Sequence, residues 1–252
     1  MIQLVKAELY KYCRRKFMYV FQLVLIILMA IIVLAAKGIV NIDIIKFTGI
    51  TKVELLRFLS IGLQMILNIM MFFGFVINED YREGTIKNVL SSKFTRTQIF
   101  FSKFITQIIL AYILAIVSTI VFIPMFMSLE PGVGYSTELL KDFIFRFSVC
   151  TIPYIGGIAM VNFLSVVTKR QSIVCIIYYL IFTCVGPIFF ILRKTCWDGF
   201  AEVQKLLLSY NVGSMCRTFL PWKSIYTTLF VGIVYTVIFT TIAVLIYRKQ
   251  EI

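Results

Sequence analysis

The chain has 252 residues, of which 60% are apolar and 15% are charged, and its mean hydropathy is +0.95. Soluble domains usually contain about 45–50% apolar and roughly 25% charged residues, so this composition excludes an ordinary soluble domain. The net charge is +13 and histidine is absent, which excludes His-ligated zinc sites and Ser-His catalytic dyads. We attribute the positive charge to loops near anionic lipid rather than to nucleic-acid binding, because no basic cluster falls on a soluble segment.

Six uncharged apolar stretches are each long enough to cross the ~30 Å hydrocarbon core of a bilayer. They predict an all-α integral membrane protein in which residues 1–252 form a single transmembrane domain. The predicted spans are about 17–36, 58–77, 105–129, 147–168, 172–192 and 225–247. No predicted span has a charged residue in its middle, whereas ion-coupled carriers usually keep one there.

The distribution of Lys and Arg predicts the orientation of these spans. Six spans put both termini on one side, together with residues 78–104 and 169–171. The segments on that side carry 14 Lys and Arg in 51 residues, against 11 in 70 on the other side. Because positive charge is retained in the cytoplasm, we expect both termini to be cytoplasmic.

The N-terminal segment has the pattern of an amphipathic helix. Apolar residues recur at helical spacing, at Ile2, Val5, Leu9 and Tyr12. Basic residues lie mostly off that stripe, at Lys6, Lys11, Arg14 and Arg15. A basic helix with one apolar face is typical of a helix that lies along a membrane surface. The alternative is a basic tail that only determines topology.

The loop between the second and third spans contains two potential capping boxes. Asp80-x-x-Glu83 predicts the start of one helix, and Thr95-x-x-Gln98 predicts the start of another. The loop is therefore expected to be a short polar helix, a turn, and a helix that continues into the third span. Such a polar helix suits a surface contact, although an ordinary structured loop has the same pattern.

Polar and helix-breaking residues within the spans can serve either helix packing or transport. Amide side chains occur at Gln64, Asn68, Gln107 and Asn162, and we expect packing hydrogen bonds rather than substrate ligands. Interruptions occur at Pro153, Gly156-Gly157 and Gly186-Pro187, and we expect close helix packing rather than a moving segment.

The second loop also carries a family resemblance. Residues 80–90, with the sequence DYREGTIKNVL, and residues 95–104, with the sequence TRTQIFFSKF, resemble the cytoplasmic loop of type-2 ABC exporter permeases. The Glu8-x-x-Lys11-x-x-Arg14 pattern before the first span is similar to the start of the same family. The six spans, the internal termini and the long outer stretch before the sixth span agree with it.

This resemblance implies a division of labour between subunits. The second-span loop would form a cytoplasmic coupling helix on a separate ABC ATPase subunit, residues 1–16 an interfacial helix, and residues 193–224 short extracellular re-entrant helices. The implied ATPase-coupling residues are Glu79, Asp80, Arg82, Glu83, Gly84, Thr85 and Lys87. The implied residues of the interfacial helix are Glu8, Lys11 and Arg14.

The chain has no G-x-x-x-x-G-K-[ST] motif, so we expect no ATP hydrolysis by the chain itself, no catalytic residue, and no cofactor or metal site. A unit of six spans forms only half of a transport pathway across the membrane, which implies a second permease copy or a sister permease. The resemblance implies export of a hydrophobic or amphipathic substrate, with a peptide expected, across a bacterial cytoplasmic membrane. An ion-coupled carrier and a non-transporting scaffold or sensor remain alternatives.

Six cysteines are present and none forms a C-x-x-C pair, so a metal or redox motif is not expected. Cys196 and Cys216 both fall in the last outer loop. Either a disulfide or two free thiols is compatible with their spacing, and we expect free thiols.

Overall fold

The computed structural model describes residues 1–36, 51–82, 84, 94–131, 135–197, 199–215 and 221–249. These residues form helices joined by turns, and no strand occurs among them, which confirms the predicted all-α class. The α-helices are α1 Ile2–Cys13, α2 Lys16–Ala36, α3 Lys52–Ile69, α4 Phe75–Arg82, α5 Arg96–Met127, α6 Thr137–Thr168, α7 Gln171–Thr195, α8 Phe200–Lys205, α9 Leu208–Ser214 and α10 Trp222–Lys249. A 3-10 helix, Met70–Gly74, joins α3 to α4.

Five helical segments of the described chain are long and apolar enough to cross a membrane. They are Gly62–Arg82, Arg96–Met127, Thr137–Thr168, Gln171–Thr195 and Trp222–Lys249. The first predicted span coincides with α2. Among the residues whose side chains are described, the apolar stretch of α2 is Met18–Leu28, which is shorter than a membrane crossing requires. Several helices extend beyond the ends of the predicted spans, because polar residues next to an apolar stretch still form helical hydrogen bonds.

Capping explains where α5 begins, but the other predicted capping box does not start a helix. The predicted box at the start of α5 is confirmed: Thr95 Oγ1 accepts from the Gln98 amide at 3.3 Å, and Gln98 Oε1 accepts from the Thr95 amide at 3.1 Å. The prediction that Asp80 begins a helix is wrong, because Asp80 lies in the last turn of α4. Its carboxylate is buried against basic side chains and is not available as a cap; Glu83 lies outside the described residues.

The α6 helix is the centre of the bundle. In the most apolar stretch of α6, 78% of the residues are buried, against 6% in α5 and 17% in both α7 and α10. The other helices therefore surround α6 and expose apolar side chains outward, as expected for helices that face lipid.

Small residues bring α6 and α10 into close contact. A Cβ on Gly232 of α10 would lie 2.8 Å from the Pro153 backbone nitrogen, and a Cβ on Gly156 would lie 3.0 Å from the Gly232 carbonyl oxygen. The close-packing interpretation of Gly156-Gly157 is therefore confirmed. It does not extend to Gly186, where no atom lies within 4 Å of an added Cβ.

Polar side chains satisfy the backbone where the second span changes from α-helix to 3-10 helix. The Gln107 amide donates to the Phe73 carbonyl at 3.0 Å, and the Gln171 amide donates to the Met71 carbonyl at 3.3 Å. Asn78 donates to the Gly74 carbonyl at 3.2 Å. These bonds replace the partners that water would supply at a surface.

The predicted packing role of two span amides is confirmed. Gln107 and Asn162 are fully buried and exchange two hydrogen bonds, both 2.7 Å long, between α5 and α6. The prediction is not confirmed at Gln64 and Asn68, whose buried amide oxygens have no hydrogen-bond partner among the described residues.

We expect Gln107→Leu to lower the free energy of unfolding by about 1–2 kcal/mol, because the Asn162 amide and the Phe73 carbonyl lose their partner in an apolar interior. The double variant Gln107→Leu/Asn162→Leu should lose less than the sum of the two single variants. Denaturant unfolding of the purified protein in detergent measures both. Asn68→Leu is the control and should cost less than about 0.5 kcal/mol. Strictly additive losses would contradict the pairing.

The bundle has two distinguishable ends. At one, α1 packs against α4 and α5, and the Arg96 guanidinium donates to the Arg248 carbonyl of α10 at 3.1 Å. We call this the α1 end. At the opposite end, the Lys52 amide donates to the Glu130 carbonyl at 2.9 Å, which joins the start of α3 to the residues after α5. The first helix and the end of the last helix therefore lie at the same end of the bundle, as six spans predict.

Candidate functional site

Charged side chains from α1, α4 and α5 converge at the α1 end. Two consecutive acids near the end of α4, Glu79 and Asp80, have side chains that are only 2% and 4% exposed. Buried carboxylates are costly unless paired, and basic side chains approach both of them. We call the group the ion cluster; its members are Glu8, Lys11, Arg15, Glu79, Asp80, Arg82 and Lys103.

Lys103 of α5 lies at the centre of the ion cluster. Its ammonium nitrogen is 2.7 Å from Glu8 Oε1 of α1 and 2.7 Å from Asp80 Oδ2 of α4. It also donates to the Val76 carbonyl at 3.4 Å, and its side chain is 3% exposed. One buried cation therefore holds three helices together, since each of its carboxylate partners belongs to a different helix.

The second half of the ion cluster joins the start of the chain to α4. Lys11 Nζ lies 3.4 Å from both Glu79 Oε2 and Asp80 Oδ1. Arg15, in the bend between α1 and α2, pairs with Glu79 Oε1. Arg82 Nη2 lies 3.5 Å from the same oxygen, but its side chain is 74% exposed. The pairs made by Arg15 and Lys11 are therefore more strongly desolvated than the pair made by Arg82.

Tyr12 adds an apolar and a hydrogen-bonded contact to this joint. Its side chain is fully buried, its hydroxyl donates to the Val76 carbonyl at 3.1 Å, and its ring packs edge-on against Phe75 at 5.1 Å. The ammonium of Lys11 and the guanidinium of Arg15 lie 5.5 and 5.4 Å from the ring centre. These distances are within the range of cation–π attraction.

The spacing of residues along α1 produces this geometry. Glu8, Lys11 and Tyr12 are three and four residues apart, so they share one helix face. That face packs on α4 and α5, whereas Ile2, which the sequence pattern assigned to the apolar stripe, is 75% exposed. The buried face of α1 therefore carries both charged and aromatic side chains, and its charges pair with opposite charges on α4 and α5.

The structure brings five of the predicted site residues together: Glu8, Lys11, Glu79, Asp80 and Arg82. Arg14 is exposed and lies over the Tyr10 ring at 4.5 Å. Gly84 is exposed with a φ of +64°, a conformation that favours glycine. Glu83, Thr85 and Lys87 lie outside the described residues.

Sequence reasoning missed Lys103 and Arg15 as members of the ion cluster. Lys103 lies in a helix between Phe101 and Phe104, and a lysine among aromatic residues is a signal of burial with a partner. Glu79 and Asp80 stay predicted coupling residues, but their burial means that they would act by holding α1 and α4 rather than through an exposed surface.

The short helices expected before the last span are also present. α8 and α9 lie between α7 and α10, and Asn211 Nδ2 donates to the Lys205 and Leu207 carbonyls at 2.6 and 2.9 Å, which holds the two helices together. Cys196 is exposed, and Cys216 lies outside the described residues, so the disulfide question stays a prediction.

An all-α bundle of apolar helices, five of them long enough to cross a membrane among the described residues, defines a multi-pass membrane protein. Residues 4–186 match the family model described as ABC-2 family transporter protein. That range covers more than half of the chain, so the chain belongs to the ABC-2 transporter family and is a membrane-spanning component of an ABC transporter. No curated protein matches the chain.

Proposed function

We propose that the chain is the permease subunit of an ATP-driven exporter, and that a separate ABC ATPase docks on the loop that follows α4. The ion cluster carries this proposal. It ties the last turn of α4 to α1 and α5, so a push on the residues after Arg82 is passed to three helices at once.

Burial explains why such a joint would transmit motion. Lys103 and its partners Glu8 and Asp80 are desolvated, and separating Lys103 from either partner would remove the closest counter-charge of a buried carboxylate. Moving α1, α4 and the first turns of α5 together as one body therefore costs less free energy than separating them. Arg82 and Gly84, by contrast, are exposed where the chain leaves that body, which suits a contact surface.

The charges at the α1 end support a cytoplasmic location for that end. Exposed cations there, among the described residues, are Lys6, Arg14, Lys16, Arg82, Lys169, Arg170, Arg248 and Lys249. Positive side chains are retained on the cytoplasmic side, where anionic lipid headgroups also attract them. The proposed location is a bacterial cytoplasmic membrane, with both termini in the cytoplasm.

The substrate proposed is hydrophobic or amphipathic, with a peptide as the first candidate. The assembly proposed contains two permease units, either two copies of this chain or this chain with a sister permease, because one unit forms half of a pathway. Hydrolysis is assigned to the ATPase, since the chain lacks a P-loop sequence.

Charge reversal in the loop tests the proposal. We expect Glu83→Lys to insert normally but to recover at least ~10-fold less ATPase by affinity capture, because a reversed charge at an interface costs more than the ~1.4 kcal/mol that a tenfold change requires. ATP-dependent uptake of a labelled amphipathic peptide into inside-out vesicles should fall in parallel. Capture and uptake are measured on the same membranes.

The matched control is Glu138→Lys, a reversal at an exposed residue in the first turn of α6 at the opposite end of the bundle. It should leave ATPase recovery unchanged. If Glu83→Lys retained both its ATPase and uptake, the loop would not be the coupling element. If the unmodified chain captured no P-loop ATPase at all, a carrier or scaffold would replace the exporter proposal.

A further inference from the structure

A second buried cation lies at the end of the bundle opposite the ion cluster. Arg146, in the third turn of α6, is 1% exposed and heads the fully buried side chains of the described residues by volume. A buried arginine in an apolar bundle needs partners for its charge and its N–H groups. The groups that accept hydrogen bonds from the guanidinium show which helices it joins.

The guanidinium of Arg146 joins three helices. Its Nε donates to Asp142 Oδ2 at 2.9 Å, one turn earlier on α6. Its Nη1 donates to Ser60 Oγ of α3 at 3.2 Å and to the Met215 carbonyl at 2.8 Å. Met215 follows α9 directly, so the cation also lies where the helix dipole of α9 is negative.

The α9 helix fills the space that this cation borders. Leu208, Val212 and Met215 are at most 1% exposed and belong to the main apolar core. The helix contacts α3, α6, α7 and α10. α9 therefore closes the bundle between these helices at the end opposite α1, and the Arg146 bond is attached to its last turn.

The pairing of Arg146 differs from that of Lys103 in one respect. Its counter-ion, Asp142, is on the same helix, so the charge pair would survive if α9 moved away. Only the hydrogen bond from Nη1 to the Met215 carbonyl would break, because Ser60 belongs to α3 and stays beside α6. The contact can therefore open without leaving an unpaired buried ion, whereas the ion cluster cannot.

We propose that Arg146 is a positioning residue that holds α9 closed over the end of the bundle opposite α1, and that α8 and α9 move away together when a substrate leaves. The direction of substrate movement rests on the proposed exporter function. The closing role of Arg146 does not, because it concerns only the contact of α9 with α3 and α6.

Thiol accessibility tests the closing role directly. Val212 is fully buried, so Val212→Cys on a cysteine-free background should react slowly with a membrane-impermeant maleimide in nanodiscs. In Asp142→Asn/Arg146→Met, which removes both charges together, labelling should be at least about tenfold faster, since each lost hydrogen bond to a charged donor shifts an equilibrium by roughly that factor. Arg146→Lys, which keeps the cation, should restore slow labelling in large part.

A matched control separates this effect from general loosening of the segment. Glu202→Gln/Lys205→Met removes an exposed ion pair on α8, where both side chains are more than half exposed, and should change labelling by less than about twofold. Unchanged labelling in a folded Asp142→Asn/Arg146→Met variant would overturn the proposal. If that variant does not fold, Ser60→Ala decides, because the Ser60 hydroxyl accepts from the same Nη1 that donates to Met215 and holds that nitrogen in place, and its loss removes no charge. Faster labelling supports the proposal and unchanged labelling overturns it.

The same reporter separates this proposal from the proposed function. Labelling without an ATPase or ATP tests Arg146 alone, so a failure to capture an ATPase leaves the result intact. With the ATPase bound, adding ATP should accelerate labelling of Val212→Cys in the otherwise unmodified chain. Acceleration ties the opening of α9 to the transport cycle, and its absence overturns the part of the proposal in which α8 and α9 move as substrate leaves.

Discussion

Replacing Lys103 by methionine should lower the free energy of unfolding by about 3–5 kcal/mol, the usual loss when one partner of a buried ion pair is removed. Methionine fills a similar volume but supplies no charge. Glu8 and Asp80 would each lose a contact of 2.7 Å, and the longer contact of Asp80 with Lys11, at 3.4 Å, would compensate only in part. Denaturant unfolding of the purified protein in detergent measures the loss.

Lys205→Met is the control for this experiment. Lys205 also pairs with an acid, Glu202, but its side chain is 56% exposed and solvent screens the pair. The expected change is below about 1 kcal/mol. Equal losses for the two lysines would show that the buried charges of the ion cluster contribute no more than a surface pair.

Gly232→Ala should lower the free energy of unfolding by about 2–3 kcal/mol, although alanine is the better helix former. The added methyl group would lie 2.8 Å from the Pro153 nitrogen and 3.1 Å from the Ile152 carbonyl carbon. Both are backbone atoms of the central helix, so no side chain can rotate away and α10 must shift. The same denaturant unfolding measurement applies.

Gly186→Ala provides the matched comparison within a membrane-spanning helix. No atom lies within 4 Å of the methyl group that this substitution would add, so helix propensity alone should decide the result. We expect no loss, or a gain of up to ~1 kcal/mol. Should Gly232→Ala behave like Gly186→Ala, the close crossing of α6 and α10 would not be a determinant of stability.

The two buried cations illustrate two ways to place a charge in an apolar bundle. Lys103 has its carboxylate partners on other helices, so its pairs resist any separation of α1, α4 and α5. Arg146 has its carboxylate on its own helix and reaches other helices only by hydrogen bonds. The proposed rigid joint at one end and the proposed opening contact at the other both rest on that difference.

Local features of the sequence predicted much of the fold. Five of the six predicted spans coincide with helices that are long and apolar enough for a membrane crossing. They were predictable because length and hydropathy are both properties of consecutive residues. The start of α5 was predicted for the same reason, since the Thr95 and Gln98 box needs only residues three apart. The loop after α4 was singled out by its residues, and the family match covers that part of the chain.

Other features depended on contacts between distant segments. Nothing local in Met70–Gly74 indicates a 3-10 helix; its carbonyls are accommodated there because Gln107 and Gln171 approach from other helices. Asp80 has the sequence pattern of a cap, yet burial against Lys103 makes it an ion-pair partner inside α4.

The sequence by itself determined the class of protein and the positions of most spans. Only the tertiary structure decided which charges meet, and hence which of them join helices. The physical reason is that hydropathy and capping act within a few residues of chain, whereas the desolvation of an ion pair depends on every helix packed around it.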